Sequence, residues 1–218
     1  GCPIVSWSFD TCPSGWTPAG NGNDWACGKP TNGPGGDHTT GSGNAWATNL
    51  SSNSANCADS TLTSPVVDLS AHTGQQVRIQ YWHWHDFRAC NPGGLGGLCG
   101  AVCTLENSTY SGGIVEAFNG SSWQKVTPTT GYPGKNIECY YVSADGGTTC
   151  SPCALDGQKG FDGASGVWVP IELDVSTFTH AQFQLRFHFA SSASDPFCYP
   201  PKAGWYIDDV RVAKLSCP

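Results

Sequence analysis

The segment AQFQLRFHF, Ala181 to Phe189, alternates without exception. Ala181, Phe183, Leu185, Phe187 and Phe189 share one parity, and Gln182, Gln184, Arg186 and His188 share the other. Successive strand side chains point to opposite faces, so this pattern specifies a strand buried on one side only. VRIQYWHWH (Val77 to His85) alternates in the same way, with Val77, Ile79 and Tyr81 on the core side and Arg78, Gln80, Trp82, Trp84 and Asp86 opposite. VWVPIELDV (Val167 to Val175) does so too, and Pro170, which cannot donate a ladder hydrogen bond, predicts an edge strand there. IVEAF and SSWQKV flank Asn119-Gly120, a strong hairpin signal read as a type I′ turn. Further strands are expected near Ile4 to Phe9, Ala45 to Leu50, Leu62 to Val67 and Ile137 to Val142. No segment keeps apolar residues at helical spacing over several turns. The chain is therefore expected to form one all-β domain over residues 1–218, an antiparallel jelly-roll β-sandwich. Two Gly- and Cys-rich insertions, at about 90–111 and 139–162, read as long loops pinned by disulfides.

Twelve cysteines are present: Cys2, Cys12, Cys27, Cys57, Cys90, Cys99, Cys103, Cys139, Cys150, Cys153, Cys198 and Cys217. An even, high count predicts six disulfides and a secreted, extracellular protein. Cys2 with Cys217 is an expected pair, since domain termini often lie close together; the remaining connectivity is open. The spacings Cys150-x2-Cys153 and Cys99-x3-Cys103 also occur in zinc sites, but here they lie in Gly/Pro/Ser loops of a Cys-rich chain. The chain has no Met, even at position 1, and reads as a processed product. Sequons at Asn49, Asn107 and Asn119 decide nothing in a chain so rich in Asn, Ser and Thr.

The net charge is −7 and no Lys/Arg cluster exists, so a nucleic-acid partner is not expected. No apolar run is long enough for a transmembrane span.

Two ends of the sequence carry a family resemblance. WSFDTCPSGWTPAGNGNDW (Trp7 to Trp25) followed by GPGGDHTTGSGNAW (Gly33 to Trp46) resembles the opening of MAM domains, with Asp10 where the acid is usually Glu. The closing GWYIDDVRVAKLSC resembles the same family's last strand. The segments LTSPVVDLS, VRIQYWHWH, GGIVEAFNGSSWQKV and LRFHFASSASD follow, in order, the pattern of MAM-like modules attached to secreted immune-inhibitor-type peptidases. The two Cys-rich insertions and the low charge depart from that pattern. The resemblance implies a jelly roll, an extracellular setting, no catalytic activity and a bound cation, often calcium.

Parity along the last strand places Asp208 with Tyr206, Val210 and Val212, facing inward, and Asp209 with Trp205, Ile207 and Arg211. An inward carboxylate must be paired, hydrogen-bonded, protonated or metal-bound. Calcium takes several oxygen ligands, commonly two or three carboxylates. In the family the segments bearing Asp10 and Asp37 meet beside the closing strand. Asp10, Asp37 and Asp208 are thus the expected structural Ca²⁺ ligands, with Asp209 as a further candidate. The alternative is that these acids cap turns.

Catalytic constellations are weak. His83 and His85 share a face, but Tyr81 marks it as the core side, and His188 lies on the polar face of its own strand. There is no HExxH or GxSxG. Trp82 and Trp84, on a polar sheet face, are candidate ligand-binding residues; aromatics there stack on sugars or bury a protein partner, unless loops cover them. The expected function is a non-catalytic extracellular recognition or adhesion module with a protein or glycan partner. The alternatives are a carbohydrate-binding module and a self-assembling subunit of an extracellular filament or surface layer.

Overall fold

The structure, a computed structural model, describes residues 1–39, 43–103, 107–139 and 149–217. In chain order the strands are β1 (Cys2–Trp7), β2 (Thr17–Asn21), β3 (Ala26–Gly28), β4 (Ala45–Ala47), β5 (Asp59–Thr63), β6 (Val77–Asp86), β7 (Ser108–Thr109), β8 (Ser111–Phe118), β9 (Trp123–Val126), β10 (Asn136–Ile137), β11 (Val169–Asp174), β12 (Leu185–Ser191) and β13 (Gly204–Lys214). Two antiparallel sheets pack face to face as a jelly-roll sandwich. One has six strands in the order β11-β6-β13-β4-β3, with β1 also on β13, and the other runs β2-β5-β12-β8-β9. A small parallel pair, β7 with β10, stands apart. Among the described residues, helix is confined to one turn at Gly100–Cys103 and three 3-10 turns.

The alternating segments form strands, two of them shorter than expected: β12 starts at Leu185, after a turn that leaves Ala181 exposed, and β11 starts at Val169, with Val167 exposed. β6 is central, and its Val77, Ile79 and Tyr81 lie in the core. β11 carries Pro170 at the sheet's end, beside Trp82 of β6. β12 presents Leu185, Phe187 and Phe189 to the same core. The hairpin at Asn119-Gly120 forms, with Phe118 opposite Trp123, but its loop has four residues. Only Gly120 takes positive φ there. Asn119 instead uses its side-chain oxygen to accept the N–H groups of Ser121 and Ser122. Asn49 caps its own turn in the same way, at Ser51 and Ser52. Of the strand expected at Ile137 to Val142, Asn136–Ile137 is formed and residues 140–142 lie outside the described ones.

All twelve cysteines are paired: Cys2–Cys217, Cys12–Cys27, Cys57–Cys150, Cys90–Cys103, Cys99–Cys198 and Cys139–Cys153. The termini are joined as expected. The cysteines with zinc-like spacing pair elsewhere, so neither spacing is a metal motif. Two bridges hold each insertion, one internal and one to the sandwich or a neighbouring loop.

The last strand corrects the parity reading. Asp208 lies opposite Trp82 and Arg211 opposite Gln80, so β13 has one more residue than β6 between those pairs. This is a β-bulge, with Asp209 in the left-handed region at φ 49°. The bulge swaps the faces. Trp205 and Ile207 before it, and Val210 and Val212 after it, all enter the core. Tyr206 and Asp208 share the outer face with Trp84 and Trp82, their direct cross-strand partners. Asp208 is buried, but beneath a loop on the outside of the sheet rather than in the sandwich interior.

Candidate functional site

The second edge of β13 is shared between two strands. β4 pairs with Tyr206 and Ile207, and β1 pairs from Val210 onward. The ladder on this side is interrupted opposite Asp208 and Asp209, and the bulge sits in the interruption. Two other segments converge there. One is the turn after β1, where positive φ at Phe9 and Cys12 and the Cys12–Cys27 bridge bend the chain around Asp10. The other is the loop before β4, which brings Asp37, His38 and Thr39.

Asp208 is fully buried, at 0% exposure. Its Oδ2 accepts the His38 N–H at 2.8 Å and its Oδ1 accepts the Asp209 N–H at 2.8 Å. Burial, with further contributions from the Asp209 and Asp37 charges, pushes its carboxyl up to about 7 against the lowering effect of those two hydrogen bonds. Asp209 turns the other way. Its Oδ2 accepts from Thr39 Oγ1 at 2.6 Å and lies 2.7 Å from His38 Nδ1, which must carry the proton to bond a carboxylate. The adjacent acids thus grip one loop from two sides, Asp208 by its backbone and Asp209 by its side chains.

Asp10 and Asp37 meet across Gly43. A Cβ at Gly43 would lie 2.7 Å from Asp10 Oδ1 and 2.7 Å from Asp37 Oδ2, so only glycine leaves that space open. Asn44 Nδ2 donates to the Asp10 carbonyl at 2.7 Å. Asp10, Asp37, Asp208 and Asp209 are therefore gathered at the break between β4 and β1 along one edge of β13. Among the described residues, no three His, Cys, Asp or Glu side chains close into a metal-binding group as they stand. The donor set is all oxygen, which suits a hard cation such as Ca²⁺ and not zinc.

The loop also builds a wall. The His38 ring stacks on Trp82 with centroids 3.8 Å apart and planes 15° from parallel. Beside it the outer sheet face is a groove of about 630 Å³, lined by Trp82, Gln80, Glu172, Arg211, Asp209 and Ser6 among others. Its floor is a cross-strand ladder. Arg211 Nε donates to Gln80 Oε1 at 2.6 Å, and Gln80 Nε2 donates to Glu172 Oε2 at 2.6 Å. Arg78 closes the row, 3.6 Å from Glu172 and 2.7 Å from Asp174.

Trp84 does not line this groove. It packs edge-on against Tyr206, with centroids 5.4 Å apart, in an apolar cluster with Ala47 and Ala203. Among the described residues, His83 and His85 have no third His, Cys, Asp or Glu placed with them as a metal-binding group. His83 Nδ1 accepts the Trp205 indole N–H at 3.1 Å, His85 Nδ1 donates to the Gly163 carbonyl at 3.1 Å, and burial lowers both pKa values. His188 lies on the outer face of the other sheet, between Asp59 and Glu116. The ladder residues Gln80, Glu172 and Arg211, and His38 itself, were not among the residues expected from sequence. Outward parity on β6 and β11 marked Gln80 and Glu172 as exposed polar positions and no more.

No family model matches the chain. It is 24% identical over 208 residues, 95% of its length, to Bacillopeptidase F of Bacillus subtilis (strain 168), and it spans 10% of that protein's length. Among solved structures it is similar to the K3 cleaved adhesin domain of Lys-gingipain from Porphyromonas gingivalis W83, at 14% identity and TM-score 0.46, covering 97% of this chain and 99% of that one. The K1 cleaved adhesin domain of the same protein gives 15% identity and TM-score 0.46, with 97% and 98% covered. The module TmCBM61, solved in complex with β-1,4-galactotriose, gives 10% identity and TM-score 0.46, with 95% and 94% covered. The chain is thus an all-β sandwich weakly related in sequence to a short part of Bacillopeptidase F.

Proposed function

We propose that residues 1–218 form a MAM-like, non-catalytic, secreted recognition module that takes its partner in the groove beside Trp82. The observation that carries this reading is the groove itself: a partly exposed indole set among hydrogen-bonding side chains from three adjacent strands. Ligand sites combine apolar and aromatic surface with a few convergent polar groups in this way. The six disulfides support an oxidising, extracellular setting. Ser6 is exposed at the groove's rim, so Ser6→Trp should fill the groove without touching the core. Wild type and Ser6→Trp, compared on arrays of extracellular proteins and glycans, should differ in at least one saturable ligand. Equal retention of every ligand by both would overturn the groove reading.

In the same reading, Asp10, Asp37 and Asp208 hold a structural Ca²⁺ with Asp209 beside them, and backbone carbonyls and water complete the shell. The space kept open at Gly43 and the buried Asp208 support it. A cation binding only the folded state stabilises it by about 2.7 kcal/mol at a hundred times its Kd. Calcium should therefore raise the melting temperature and EDTA should lower it. Asp208→Asn keeps the volume and removes one charge, but its amide nitrogen cannot accept one of the two backbone N–H groups, so this variant should lose the calcium response and melt no higher than wild type in EDTA. Identical melting in calcium and EDTA, with no metal by mass spectrometry, excludes the cation.

A further inference from the structure

We propose that the partner in the groove is a neutral pyranose glycan, read by the Arg211–Gln80–Glu172 ladder and packed against Trp82. This inference rests on the groove being the ligand site, and it names the class of ligand. A pyranose presents C–H groups on its ring faces and hydroxyls around its rim, each hydroxyl both donor and acceptor. It needs one aromatic surface and several planar polar groups at fixed spacing.

The groove supplies that combination. His38 covers one face of Trp82, so one face at most is left for a ligand, which fits a single packed ring rather than a broad aromatic platform. The ladder groups are held by one another before any ligand arrives, which lowers the ordering cost of binding. They retain capacity for hydroxyls. Arg211 uses Nε on Gln80 and has its Nη groups beyond that bond, and the Glu172 carboxylate engages Gln80 through Oε2. Ser6 adds a hydroxyl at the rim.

The charges argue for a neutral sugar. Glu172 and Asp209 border the groove with one arginine, Arg211, between them. The net sign there is negative, which disfavours uronates and sulfated glycans. The chain's formal charge of −7 acts in the same direction. A protein partner is less well served. Tight protein interfaces centre on buried apolar anchors, and the outer-face indole that lines this groove, Trp82, is already covered on one side by His38. Strand addition at β11 is hindered by Pro170 and by the Pro128–Leu173 bridge already on that edge.

His38 and Asp209 are positioning residues here. Asp209 fixes the imidazole through Nδ1, and the imidazole fixes the indole. The bulged acid pair thus connects the carboxylate cluster beside β13 to the orientation of Trp82.

The test is nuclear magnetic resonance titration of the full chain with neutral β-linked gluco-, galacto- and xylo-oligosaccharides, with hyaluronan and heparin oligosaccharides as anionic controls. Trp82→Phe assigns the Trp82 indole N–H signal, and Gln80→Ala assigns the Gln80 side-chain amide. At least one neutral series should shift both signals saturably. Trp82→Ala and Gln80→Ala should each weaken that binding tenfold or more, in proteins whose spectra stay dispersed, and His38→Ala should weaken it severalfold while the Gln80 signal stays in place. Binding of only the anionic glycans, or of no glycan, overturns the glycan inference; a Ser6→Trp-sensitive protein ligand in that case leaves the groove reading standing. Glycan binding indifferent to both Trp82→Ala and Gln80→Ala places the ligand elsewhere and overturns both.

Discussion

Trp205→Ala should cost about 3–5 kcal/mol of unfolding free energy, the range for deleting a buried aromatic ring from a core. Trp205 has no exposed surface and is the hub of the aromatic core. Its ring lies 5.5 Å from Phe187, 5.8 Å from Phe161, 6.1 Å from both Phe87 and Trp25, and 6.3 Å from His83. Its removal also strips His83 Nδ1 of its donor inside the core, a second cost on top of the cavity. The indole is seated against Gly113, where a Cβ would come within 2.3 Å of ring carbon Cζ3. Gly113→Val should therefore be destabilising as well, by overpacking rather than by a void. Urea unfolding with disulfides intact measures both. A loss below about 1 kcal/mol for Trp205→Ala would contradict the range expected for such a hub.

Trp205 also shows where the sequence was readable and where it misled. Alternation in Val77 to His85 and, from Phe183 on, in Ala181 to Phe189 reported the core face correctly, because the chain runs there without a bulge; Ala181 lies in a turn and is exposed. In GWYIDDVRV the same rule assigned Trp205 to the wrong face. The apolar positions Trp205, Ile207, Val210 and Val212 are spaced two, three and two apart, and the odd interval spans the two acids. That interval is the trace of the bulge. A strict parity reading treated the acids as ordinary strand positions and passed over it. The gathering of Asp10, Asp37 and Asp208 depends on a disulfide-bent turn, a long loop and a bulge meeting at one edge, and only the family resemblance pointed to it. The stacking of His38 on Trp82 and the ladder across β13, β6 and β11 are tertiary events, set by register and by hydrogen bonds between distant strands. Parity could mark their residues as outward but could not bring them together. Of the disulfides only Cys2–Cys217 was readable, from the closeness of termini.

The outer face of the second sheet leads to a pH effect of definite sign. His188 lies with Nε2 2.6 Å from Asp59 Oδ1 and Nδ1 3.0 Å from Glu116 Oε2. Carboxylates only accept, so satisfying both requires the imidazolium, with a proton on each ring nitrogen. Arg186 shares the network, donating to Glu116 at 2.6 Å, and Asp59 Oδ2 accepts the Ala154 N–H of the second insertion. Burial opposes the charge on His188, but the hydrogen bonds to Asp59 and Glu116 and their charges outweigh it and raise the pKa above 6.5. The His188 hydrogen bond lowers Asp59 against its burial, and the His188 and Arg186 bonds lower Glu116 against its own. A raised histidine stabilises the fold fully below 6.5 and loses that contribution as pH climbs through the raised value. Lowered carboxylates stabilise above their ordinary values of 3.8 and 4.5 and lose it as pH falls through the folded ones. The network is thus strongest between roughly pH 4.5 and 6.5. His83 and His85 act oppositely: burial lowers them, so their contribution is lost as pH falls through 6.5, and a comparison of variants cancels it. Gln at 188 has a single donor nitrogen in place of two ring nitrogens that face different carboxylates, and its amide oxygen cannot donate to the second, much as neutral histidine's unprotonated nitrogen cannot. His188→Gln should therefore cost about 2 kcal/mol near pH 5.5, the scale of charge-assisted hydrogen bonds, and well under about 1 kcal/mol near pH 9. His188 and Glu116 are nearly sheltered, at 6% and 12% side-chain exposure, so 0.15 M salt should reduce the difference only slightly. A gap between wild type and variant that stays constant or widens from pH 5.5 to 9 would mean that the imidazole is neutral in the fold and only one of the two carboxylates is bound to it.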